Sequence, residues 1–129
     1  MSTITTHILD TAKGCPAEGV RVILYRRPDS PGKEEEWMEE VELANGYTNK
    51  DGRITDWLGP NAAPGGAAAY DVPGNGIYKI RFETKDYFEG QSLATLYPFV
   101  EVHFELTADG HYHIPLLISP FGYSTYRGS

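Results

Sequence analysis

The residues of this chain whose types and spacing suit chemistry are its four histidines, two arginines set in turn-like contexts and a tyrosine-rich ending. His111 and His113 are one residue apart, so an extended strand would set both imidazoles on one face, about 7 Å apart. That pair has three readings: metal ligands completed by a third such as His7, a general base beside an orienting group, or a hydrogen-bonded structural pair. His7 lies among Thr5, Thr6, Ile8 and Leu9, where a buried imidazole needs a partner to offset its lost solvation. Arg53 closes the turn Asn49-Lys50-Asp51-Gly52-Arg53. It is either a solvated side chain or a fixed positive fork for an anionic or carbonyl-rich ligand, and Arg127 carries the same two readings. No phosphate-binding loop, nucleophile elbow, Cys-x-x-Cys pair or dinucleotide fingerprint occurs, so no nucleotide cofactor is expected.

The elements that must position these residues read as strands. Period-two alternation with β-branched and aromatic residues recurs over 2–10, 19–25, 77–82, 99–106 and 111–119, with weaker segments over 37–43 and 52–58. Strong turn signals separate them, at Lys13-Gly14, Arg27 to Gly32, Asn49 to Gly52 and Asp109-Gly110. Only 84–91 suits a helix, and the Gly-, Pro- and Ala-rich 59–76 reads as a surface loop. Seven or so short strands point to a β-sandwich in one domain, 1–129. Strand phase sorts the histidines. His103 faces outward with Glu101 and Glu105, whereas His7 shares its face with Thr5 and Leu9, away from Ile4, Thr6 and Ile8. In 111–119, Tyr112, Ile114, Leu116 and Ile118 form one face and His111, His113, Pro115 and Leu117 the other. Both faces are apolar beyond the histidines, so both should be covered, the second most simply by another subunit.

Composition narrows the partners. The 129 residues carry a net charge of −7, five of the carboxylates crowded into 34–40, which argues against nucleic acid and anionic membranes. No apolar run reaches the roughly 20 residues that span a bilayer. Cys15 is the single cysteine; it reads as a turn residue and permits no internal disulfide. Met1 to Thr6 has neither the basic start nor the apolar stretch of a leader. The cytoplasm is the default expectation, and without a Ser-Lys-Leu ending the peroxisome stays open only by another route.

Three stretches carry a resemblance: Thr6 to Ala17, Thr48 to Arg53, and the close of the chain through Tyr126-Arg127-Gly128-Ser129. With Gly76-Ile77-Tyr78 and Asp86-Tyr87-Phe88, they resemble the 5-hydroxyisourate hydrolases, the purine-catabolic branch of the transthyretin-like family. The Tyr-Arg-Gly-Ser ending is absent from the hormone-carrying branch. The resemblance implies an all-β, transthyretin-like (prealbumin-like) sandwich of seven to eight strands with one short helix, assembled as a homotetramer, a dimer of dimers with sites between the dimers. It implies hydrolysis of 5-hydroxyisourate without cofactor or metal, with His7, Arg53 and His113 catalytic and Ser124, Tyr126, Arg127, Gly128 and Ser129 lining the substrate site. Two rivals stand beside it: an aromatic-ligand binder without catalysis, and a metal-dependent hydrolase using His7, His111 and His113. The connections 27–40 and 59–76 are longer than the family pattern, and Phe99 stands where a glutamate is usual.

Overall fold

The computed structural model describes residues 2–27, 40–59, 68–72 and 74–128. The long first strand, β1 (Ser2–Asp10), alternates as its sequence does: Ile4, Thr6 and Ile8 are buried while Thr3, Thr5, His7 and Leu9 stay half-buried. A two-residue strand β2 (Cys15–Pro16) folds back on its far end. Then follow β3 (Arg21–Arg26), β4 (Val41–Tyr47), β5 (Tyr70–Val72), β6 (Gly76–Phe82), helix α1 (Thr84–Glu89), β7 (Val100–Leu106), β8 (His111–Ser119) and β9 (Gly122–Thr125).

These strands make two sheets. One runs β4-β3-β6-β7, antiparallel throughout. The other runs β2-β1-β8-β9, with β5 also pairing the start of β1. Within it β1 and β8 are parallel, aligning Thr5 with His113 and Thr3 with His111. Between the sheets lie Ile4, Ile8, Leu24, Tyr78, Ile80, Phe82, Leu116 and Ile118, all essentially without solvent exposure. Each such aliphatic side chain contributes roughly 1.5–3 kcal/mol by leaving water. A one-residue slip of β1 or β8 would turn Ile4, Ile8, Leu116 and Ile118 outward and drive the histidines into the core, so hydrophobic phase fixes which way the histidines point.

Several expected elements differ. The segment 52–58 is not a strand: Ile54 and Trp57 bury as single anchors, and its ladder-type pairing among the described residues consists of isolated bridges, His7 with Arg53 and Asn45 with Leu58. The expected 37–43 strand is β4 starting at Val41, while its residues 37–39 lie outside the described set. The 59–76 loop contains β5, which Tyr70 and Val72 anchor by burial. Chain 111–119 is not the last strand, since β9 returns beside it from Ser119. The helix ends at Glu89. Its Tyr87 hydroxyl donates to Asp10 Oδ2 at 2.7 Å, while Asp10 Oδ1 accepts from the backbone of Ala12 and Lys13. Burial first, then this bond, pushes the Tyr87 hydroxyl up to about 12. Among the described residues, no helix is long and apolar enough to cross a membrane.

Candidate active site

The open edge of β1 is shared by three partners. β5 pairs Ser2 to Ile4, β2 pairs Leu9 and Asp10, and in the interval Arg53 bridges to His7. The turn that delivers Arg53 is organised by Asn49. Its Oδ1 accepts from the backbone N–H groups of Asp51 and Arg53, and its carbonyl accepts from Gly52. Gly52 adopts φ +73°, and its carbonyl oxygen accepts from the Ile8 N–H. A Cβ there would stand 2.3 Å from the Ile8 carbonyl oxygen and 3.2 Å from His7 Cδ2. Only glycine lets this turn lie against β1 and aim Arg53 beside His7.

His113 enters from β8, half-buried, with His111 more exposed and its ring centroid 6.4 Å away. The two histidines share the hydroxyl of Thr5, which lies 2.8 Å from His113 Nδ1 and 2.8 Å from His111 Nε2. Gly128 closes the other side. Its N–H donates to the His113 carbonyl, and a Cβ on it would come within 2.4 Å of His113 Cδ2.

Electrostatics link the three separated residues. Burial first, and then the Arg53 guanidinium, lower the His7 pKa, opposed by a hydrogen bond to the Asp51 backbone. Burial and then Arg53, His7 and His111 lower that of His113. Both imidazoles are thereby held neutral near pH 7 beside a permanent cation. A neutral imidazole accepts a proton, and an adjacent guanidinium stabilises an oxyanion.

The described tail divides by strand phase. Ser124 pairs with Leu117, placing it on the histidine face of β8, and Gly128 pairs with His113 itself. Arg127 falls on the opposite face, its guanidinium 4.4 Å from the Tyr112 ring centroid. There it anchors the tail rather than facing the imidazoles, and the exposed Tyr126 lines the same cleft between β7 and β9. Ser129 lies outside the described residues. Part of the cover expected from another subunit comes from the chain's own end, as Gly128 packs against Pro115. His103 is exposed on β7, away from this set. Among the described residues, no group of three His, Cys, Asp or Glu side chains is arranged to hold a metal.

Thr5 plays a part that the types of the reactive residues did not reveal, whereas Gly128, expected to line the substrate site, packs against His113. The signal for Thr5 was its phase, two residues before His7 on the same face.

The family model described as Transthyretin: HIUase/Transthyretin family matches residues 4–128. This chain belongs to the HIUase/transthyretin family. The "Probable 5-hydroxyisourate hydrolase" of Schizosaccharomyces pombe is 39% identical over 98% of this chain and 90% of its own length. The "5-hydroxyisourate hydrolase" of Mus musculus is 40% identical over 99% of this chain and 96% of its own. Among solved structures, the 5-hydroxyisourate hydrolase of Klebsiella pneumoniae superposes with TM-score 0.74 at 36% identity, covering 100% of both chains. Transthyretin from Sparus aurata superposes with TM-score 0.75 at 28% identity, over 97% of this chain and 95% of that one. The two branches therefore share one backbone, and side chains on it must separate them.

Proposed function

We propose that this chain is a hydrolase that opens 5-hydroxyisourate to 2-oxo-4-hydroxy-4-carboxy-5-ureidoimidazoline. The single observation carrying this reading is the meeting of His7, His113 and Arg53 from three separate segments, with both imidazoles biased to the neutral form. Relatives named for this activity match nearly the whole chain.

The reaction adds water to an acyl carbon bonded to nitrogen. One neutral imidazole takes the proton of the attacking water as its oxygen bonds to that carbon. Negative charge gathers on the acyl oxygen, where Arg53 meets it. The carbon–nitrogen bond then breaks, and the departing nitrogen receives a proton from the imidazolium side of the pair. Ser124 and the ending through Ser129 border the substrate, with Tyr126 and Arg127 holding that ending in place. No covalent nucleophile enters the scheme, and Cys15 lies at the β1–β2 end of the molecule.

The protein works as a homotetramer in this reading. Phe121, Tyr123 and Tyr126 stand 70%, 46% and 54% exposed around the β9 edge, a patch that a neighbouring subunit would cover. Light scattering behind size exclusion measures that mass directly.

The test of function follows freshly generated 5-hydroxyisourate by its ultraviolet absorbance. Decay should be faster with the protein than without, and His7→Ala, Arg53→Ala and His113→Ala should each return it to nearly the uncatalysed rate. Unaccelerated decay together with tight binding of an aromatic ligand would favour the transthyretin-like binding role, to which the Sparus aurata likeness lends its support.

A further inference from the structure

The geometry points to Thr5 and His111 as positioning residues that hold His113 in the tautomer a base requires, an inference resting on the hydrolytic reading. Thr5 Oγ1 is 2.8 Å from His113 Nδ1 and 2.8 Å from His111 Nε2. A hydroxyl owns one proton, so it cannot donate to both rings, and at least one ring nitrogen must donate to it. Of the two polarities this allows, we assign the one in which His113 Nδ1 donates, because only it leaves Nε2 of the catalytic ring unprotonated. The chain of bonds then runs from His113 Nδ1–H to Thr5 Oγ1, and from the Thr5 hydroxyl to His111 Nε2. His113 Nε2 is left with its lone pair free to accept a proton from water.

The arrangement does with neutral groups what an orienting carboxylate does for a histidine base elsewhere. The substitution has a physical reason. A carboxylate at this place would raise the basicity of His113 and pair with Arg53, the cation intended for the substrate. A hydroxyl backed by an imidazole fixes the tautomer without adding negative charge. The titratable and charged groups facing His113 are Arg53, His7 and His111, all of one sign or neutral. Strand register builds the relay: Thr5 is directly opposite His113, and Thr3 is opposite His111, so the Thr5 hydroxyl reaches both rings of the period-two pair. Gly128 lies so close along the far edge of the His113 ring that a Cβ on it would stand 2.4 Å from Cδ2.

The experiment uses the full chain with 15N-labelled histidine. At pH 8, ring nitrogen shifts should show His113 as the Nδ1–H tautomer in the native protein and in Thr5→Ser, and as a mixture in Thr5→Val. In parallel, Thr5→Val should lower kcat about 10-fold with KM unchanged, Thr5→Ser should restore it, and His111→Phe should act in the same direction. The double variant Thr5→Val/His111→Phe should lose little more than Thr5→Val alone, as members of one network do. A native His113 in the Nε2–H form, or a Thr5→Val protein with native spectrum and native kcat, overturns the inference. Should Thr5→Val not fold, His111→Phe at its exposed position gives the same two readings. The ring spectrum decides the tautomer even if the chain proves not to hydrolyse 5-hydroxyisourate, so failure of that reading and failure of this one are told apart.

Discussion

The outer faces of the two sheets treat their cations in opposite ways. On the β4-β3-β6-β7 sheet, Lys79 pairs with Glu40 and with Glu101 at 3.1 Å, and Arg81 pairs with Glu83 and with Glu101 at 3.4 Å. Burial alone would lower Lys79, but its bonds to the two glutamates outweigh that and hold its pKa up. Arg81 is raised chiefly by its bond to Glu83. On the β2-β1-β8-β9 sheet, Arg53 has no carboxylate pair among the described residues and instead bears on His7 and His113, whose pKa values fall. Charge met by opposite charge is quenched and structural. Charge set against titratable neutral groups stays available to a substrate and keeps those groups unprotonated near neutral pH, weaker bases but free to accept a proton.

Perturbing the two faces should therefore give effects of very different size. The largest belongs to the imidazoles: His113→Ala or His7→Ala should lower kcat/KM by about 10²- to 10⁴-fold, read by steady-state turnover on protein whose circular dichroism matches the native. Next comes Arg53→Met, with a loss of about 10²- to 10³-fold and a displaced pH profile. Both histidines are lowered in the native protein, so its activity should survive until the pH falls below about 6.5. Removing the cation lets both pKa values rise, so the acid limb of the variant should lie at higher pH than that of the native. An unmoved limb would break the electrostatic half of the comparison. Gly128→Ala should cost about 10-fold in kcat, because its Cβ would stand 2.4 Å from His113 Cδ2 and either ring or tail must shift. The smallest effect falls on the paired face. Lys79→Met should leave turnover unchanged and alter unfolding free energy by no more than about 1 kcal/mol in urea titration.

Much of the scaffold is legible in the sequence. The phase of Ile4, Thr6 and Ile8 against Thr5, His7 and Leu9 told which way β1 would face, and the strand 111–119 has those bounds in the structure. The helix over 84–89 sat where the single helical pattern lay. The irregular parts were harder to read. Ile54 and Trp57 look like strand residues but bury as isolated anchors, since their segment pairs by single bridges rather than a ladder. β5 hides in a Gly- and Ala-rich stretch because its order comes from the edge of β1, not from its own propensity. The resemblance puts Arg127 with the substrate-lining tail, yet period-two geometry turns it to the far face, against Tyr112.

By itself the order of residues determined that this would be a sandwich of short strands, and on which face of each strand a histidine would stand, because burial of alternate apolar side chains depends only on local period. It also marked Gly52 as part of a turn, without saying which strand that turn would approach. Only the tertiary structure decided that the gap along β1 between β5 and β2 admits Arg53, that parallel pairing with β8 brings Thr5 to both His111 and His113, and that the tail folds back onto that ring. Such meetings depend on contacts between segments tens of residues apart, and those are selected by the packing of the whole core rather than by any one stretch of chain.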